Sequence, residues 1–250
     1  METRPSKGSG TGSAARPRDV ALAIVLLGSV WAMVEVVFGG VMNQVGVPHR
    51  VAIVTGLGMA IMGLGLGAFR QAYMLPLIAL VVVFVRQLAV PILHVPLFCK
   101  ANSCLAVLIE AGALAGLVAV MGSRLTGRES TSDGKAGMRR SQWMTAAAVG
   151  GCAALVASGV FHAAGMRVAP CEHLLSYNRA YGLLTYVATR GSFWAISSAA
   201  LFPVGLLVGL RLEDPVAAFR RTRPALYYAT SVVCAAVCWG ASAVAISAGM

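Results

Sequence analysis

Seven runs of predominantly apolar residues, at about 20–42, 51–69, 72–95, 103–122, 143–164, 191–210 and 225–248, constrain this chain more than any other feature. Each is close to the roughly twenty residues that a helix needs to cross the hydrocarbon core of a bilayer. Backbone N–H and C=O groups find no water there, so only helices and closed barrels survive, and runs of this length are helices. The expected fold is all-α, a polytopic transmembrane helix bundle of about seven spans, with six as the alternative count. Composition agrees: 12% of the residues are charged, against about 25% in soluble domains, and mean hydropathy is +0.78.

The formal charge of +11 does not point to nucleic acid, because the basic residues lie between apolar runs without aromatic interleaving or a nucleic-acid motif. Their distribution gives an orientation instead. With the N-terminus in the cytosol, one side carries Arg4, Lys7, Arg16, Arg18, Arg70, Arg124, Arg128, Lys135, Arg139, Arg140, Arg211, Arg220, Arg221 and Arg223. The other side carries only Arg50, Lys100, Arg167, Arg179 and Arg190, and fourteen against five is a strong positive-inside bias. It places the chain in a cell membrane, a bacterial cytoplasmic membrane being expected, with the C-terminus outside.

Residues 1–18 are rich in Gly, Ser, Pro and basic side chains and read as a disordered cytosolic tail, ahead of a single transmembrane domain over 19–250. The first run follows Arg16 and Arg18 as a signal peptide would, yet its length and the lack of a clear cleavage motif mark a retained helix. A cytosolic loop is expected at about 123–142. An outer segment at about 165–190 mixes Tyr, Asn and Arg with apolar residues and reads as an interfacial or re-entrant helix. Gly63 with Gly67, and Gly112 with Gly116, form small-xxx-small patterns that let helices approach closely.

Three ionisable residues fall inside spans: Glu35 in the first, Arg86 in the third and Glu110 in the fourth. A charge near mid-bilayer costs roughly 2.5–3.5 kcal/mol on insertion scales, so each needs a partner or an aqueous cavity. At about 1.5 Å per residue, Glu35 and Arg86 lie roughly 22 and 21 Å from the cytosolic starts of their helices, and Glu110 about 10 Å below its outer end. Equal depth on three helices predicts one constellation, with Arg86 bridging both carboxylates, Gln87 nearby and Trp31 one turn below Glu35. It is either an ion-pair staple that fixes helix register or the polar wall of a substrate cavity.

The outer loops and helix ends collect His49, His94, His162 and His173 with Cys99, Cys104 and Cys171. His94, Cys99, Cys104 and His173 are candidate ligands for a soft or borderline metal, although their spacing matches no fixed motif. Cys99 and Cys104, five apart on the oxidising face, can equally form a disulfide. No P-loop, HExxH or GxSxG occurs, so no ATP hydrolysis or membrane-hydrolase chemistry is expected and the chain does not read as an enzyme.

The segment WAMVEVVFGG, followed by VPHR, resembles the first-span signature of the substrate-binding (S) components of energy-coupling factor (ECF) transporters, where a Trp and a Glu four residues later precede Gly and a Pro opens the next segment. VVVFVRQLAVP is similar to a span in which those proteins carry a basic residue, usually Lys, before a Pro. NSCLAVLIEAGALAGL is similar to their fourth span. The likeness covers about residues 20–122; Arg86 stands where Lys is usual, six spans is the usual count, and the second half of the chain shows no such match.

The resemblance implies a membrane protein that binds a small-molecule ligand, a vitamin, metal ion or related micronutrient, near the outer face. It would draw energy from a separate transmembrane coupling protein and ATPase subunits. Glu35, Arg86 and Glu110, with Trp31 and Gln87, would line or support the site. Gly28 and Ala32 would offer a flat face to the coupling protein or simply pack within the bundle. The alternative is a membrane structural or assembly protein handling metal or redox chemistry at its outer face.

Overall fold

The computed structural model describes residues 17–96, 101–125, 129–130, 136–168, 170 and 172–249. Among the described residues, seven helices are long and apolar enough to cross a membrane: α1 (Pro17–Gln44), α2 (Arg50–Phe69), α3 (Met74–Leu93), α4 (Ala101–Leu125), α5 (Arg140–Val168), α6 (Gly182–Thr222) and α7 (Pro224–Ser247). The protein is an all-α, multi-pass integral membrane protein. A two-residue antiparallel ladder pairs Glu129–Ser130 with Ala136–Gly137 in the loop between α4 and α5.

The spans are where hydropathy puts them, with extensions at the outer end of α5 and at both ends of α6. α5 continues to Val168 and α6 begins at Gly182, so much of the expected outer segment is helix belonging to its neighbours. What remains is a single turn at Glu172–Leu175 and the bend that follows it. At 41 residues α6 is about 60 Å long, roughly twice the hydrocarbon thickness, and extends beyond the apolar slab.

The centre of the bundle is a backbone seam between α2 and α6. A Cβ on Gly205 would sit 1.9 Å from the Ala60 carbonyl oxygen, one on Gly209 2.2 Å from that of Leu64, and one on Gly67 2.4 Å from that of Leu206. Gly63 faces the Phe202 carbonyl in the same way, at 2.6 Å. Lipid is as apolar as leucine, so helices in a membrane associate through close van der Waals fit, and glycine on both partners allows the closest fit. The seam continues outward through Gly56, opposite Ser197 and Leu201, to a hydrogen bond from the Ser197 hydroxyl to the Ala52 carbonyl at 2.6 Å.

Of the two small-residue patterns, Gly63–Gly67 packs and Gly112–Gly116 does not: a Cβ on either residue of the second pair meets nothing within 4 Å. Gly28 and Ala32 face inward. A Cβ on Gly28 would lie 2.5 Å from Val81 and Ala32 is fully buried, so these two pack within the bundle and present no outer face.

The helix ends opposite the cavity described below are tied by charge. Asp19, fully buried, accepts from Arg220 at 2.5 Å and from the Tyr228 hydroxyl at 2.7 Å, and Arg70 pairs with Glu213 at 2.8 Å. These contacts put the start of α1 and the end of α2 beside the last part of α6, as an alternating topology requires.

Gly205→Val should lower the stability of the detergent-solubilised protein by about 1–3 kcal/mol or abolish its folding, because two backbones must separate to admit the side chain. Gly112→Val should stay within about 0.5 kcal/mol of the parent. Thermal unfolding followed by size-exclusion fluorescence compares the two; equal losses would contradict the seam.

Candidate substrate cavity

α1 widens into a π-helical turn at Val34–Phe38, where the valines of VEVVF crowd the preceding turn and Gly39–Gly40 leave the backbone free to adjust. Glu35 lies in this turn. Its carboxylate is held from two sides: Arg86 Nη1 donates to Oε2, and the indole Nε1 of Trp31 donates to Oε1 at 3.3 Å. Trp31 is fully buried and α2 makes room for it at Gly58, where a Cβ would lie 2.6 Å from the ring. Arg86 occupies the last straight turn of α3. Pro91 lacks an N–H and crowds the Gln87 carbonyl, and the helix is broken by a turn at Leu88.

Glu110 is 3% exposed and its Oε1 has no hydrogen-bond partner. It forms no ion pair with Arg86, so the expected bridge between two carboxylates is replaced by one satisfied pair and one unpaired acid. The reason is the reach of α1: both Glu35 oxygens are already bonded, and Arg86 turns to that side. Gln87 turns away as well, donating from Nε2 to Cys104 Sγ at 3.4 Å.

Glu35, Arg86 and Glu110 share the wall of one cavity of about 790 Å³. Trp31 and Gln87 are outside that wall; Trp31 acts by holding Glu35. Thr55, Val107 and Ala106 continue the deep part, while Asn43, His49, Arg50, Asn102 and Arg190 lie towards the helix ends that the positive-inside bias assigns to the outside. Phe161, Tyr186, Phe193 and Trp194 give one side an aromatic surface.

Arg50 and Arg190 were not singled out by depth, because they sit at helix ends where charge is tolerated. The available signal was their membership in the small group of basic residues on the outer side. The fold brings them to one corner: His49, in a left-handed conformation at φ 55°, stacks on Phe193 at 3.9 Å, joining the start of α2 to α6 one turn after Arg190. Arg190 lies in a second π-helical turn, Val187–Gly191, and reaches the Tyr177 hydroxyl at 3.5 Å. That guanidinium holds the Tyr177 hydroxyl below its ordinary pKa.

The expected metal set is only partly described. His94 caps α3 in a left-handed conformation (φ 54°), and Cys104 is a buried free thiol against Gln87, with no disulfide. Cys99, Cys171 and the side chain of His173 lie outside the described residues. Among the described residues no group of three or more His, Cys, Asp or Glu is placed to hold a metal ion. His162 is buried beneath Tyr186 and Tyr177, with ring centroids 5.0 and 6.3 Å away.

Compared with protein-family models, curated proteins and solved structures, the chain matches none.

Removing one member of the ion pair leaves the other uncompensated in the membrane. Arg86→Ala should therefore destabilise the protein by about 3 kcal/mol, the low end for a broken buried pair, since the two side chains keep 18% and 13% exposure through the cavity. Glu35→Ala combined with Arg86→Ala should recover most of that loss. Urea or thermal unfolding of the two variants measures the coupling.

Proposed function

We propose that this protein is the substrate-binding membrane subunit of a small-molecule uptake system of ECF type in a bacterial cytoplasmic membrane. The observation that supports this most directly is the cavity. Its volume of about 790 Å³ lies within the range of small-molecule sites, about 300–1,000 Å³, and its wall carries the Glu35, Arg86 and Glu110 that the resemblance selects. Ionisable side chains inside a membrane mark substrate pathways more often than chance packing. On this reading the ligand enters from the outside, and a separate coupling protein and ATPase subunits supply the energy.

An organic ligand fits better than a bare metal ion. The space is far larger than an ion needs and its side is aromatic. One observation favours the second reading, a structural role: Glu35 has both oxygens satisfied within the protein, as a register staple would.

The purified full-length chain in detergent, screened by thermal shift against vitamins and divalent metal chlorides, separates the two. A ligand at one hundred times its Kd should add about 2.7 kcal/mol of stability, seen as a rise in Tm of several degrees. If nothing raises the Tm, the uptake reading fails and the structural one stands.

A further inference from the structure

The cavity has two chemically opposite ends, and the proteins' own contacts account for only one of its acids. At one corner Arg50 and Arg190 are exposed and form no ion pair with any described carboxylate. α2 begins at Arg50, so the positive end of its dipole adds to the two guanidiniums. At the other end Glu110 is buried, lines the same space and has an oxygen without a partner. It lies nine residues along α4 from Ala101, about 14 Å. Asn102, at the start of α4, also carries an unpartnered buried oxygen.

Buried acceptors in native proteins are satisfied, by protein, water or ligand, and an acid left without a donor in a membrane is costly. The backbone adds an independent sign. Glu35 and Arg190, which both line the space, sit in π-helical turns, a feature that recurs at functional sites because it re-aims a side chain at the expense of regular bonding. Phe161, Phe193 and Trp194 line the same space.

We propose that the ligand is amphoteric: an organic molecule with a carboxylate or phosphate bound by Arg50 and Arg190, a flat ring against the aromatic side, and an N–H donor bound by Glu110. This rests on the uptake reading above and specifies the substrate class. A guanidinium presents paired N–H donors that match carboxylate and phosphate oxygens, which suits the rim to an anion. Glu110 accepts and cannot replace that role, so the two ends orient the molecule.

The test uses the full-length protein in detergent and a panel in three classes. Pyridoxamine 5′-phosphate, folate and biotin carry an anion and an N–H donor; pyridoxamine, thiamine and riboflavin lack the anion; cobalt and nickel chloride are bare cations. The tightest binder should come from the first class. Arg50→Ala and Arg190→Ala should each weaken that binder by about tenfold or more, while leaving the affinity for its anion-free analogue (pyridoxamine, the dimethyl ester of folate or the methyl ester of biotin) unchanged. Glu110→Gln should weaken the binder and the analogue alike. Because Arg50 and Arg190 are exposed, their variants should keep the parent's Tm without ligand, which confirms folding. A tightest binder from the second or third class, or Arg variants that bind as the parent does, overturns the amphoteric assignment and leaves the uptake reading intact. Absence of binding in all three classes overturns both.

Discussion

The close contact of α2 with α6 is the constraint from which the rest of the bundle follows. In water two helices come together because apolar surface leaves solvent, but in a bilayer that driving force is missing and only the quality of fit remains. Gly63, Gly67, Gly205 and Gly209 bring two backbones together with no side chain between them. The seam ends towards the outside at Gly56 and the Ser197–Ala52 hydrogen bond, and Phe193 and Trp194 of α6 line the cavity together with Thr55 of α2. The open space is thus the continuation of the close α2–α6 contact, which fixes two of its walls.

The two membrane-embedded acids differ in kind. Glu35 is saturated by a guanidinium and an indole, and the room for that indole comes from Gly58 on the same helix that forms the seam. A saturated pair is weak as a source of stability, since desolvating both charges offsets much of their attraction, but it holds geometry because either half alone is costly. Glu110 has no such partner. Division of labour follows: the pair shapes the wall, and the remaining acid is available to whatever occupies the space.

Depth along a helix was readable from the sequence, and rotation about its axis was not. Glu35, Arg86 and Glu110 could be set at one level by counting residues, and the fold does place them around one cavity. Which of the two acids Arg86 would choose depends on which face each helix turns inward, and a count of residues carries no such information. The same gap explains Gln87, one residue from Arg86 and turned to Cys104, and the glycine patterns, where identical spacing packs on α2 and faces outward on α4. Arg50 and Arg190 were invisible for another reason: they come together through a His49–Phe193 stack between residues 144 positions apart in the sequence.

The Asp19–Arg220 contact bears on the order of events during synthesis. Its partners are separated by 201 residues, so α1 enters the membrane long before its counter-charge exists. At roughly 5–20 residues per second, the carboxylate waits about 10–40 s for Arg220 and slightly longer for Tyr228. An unpaired carboxylate is costly in hydrocarbon, so during that interval the aqueous edge is its favourable position while the spans up to α6 are laid down. Docking of α6 and α7 then removes the carboxylate from water, so the start of α1 takes its final place only after Arg220 and Tyr228 have been made.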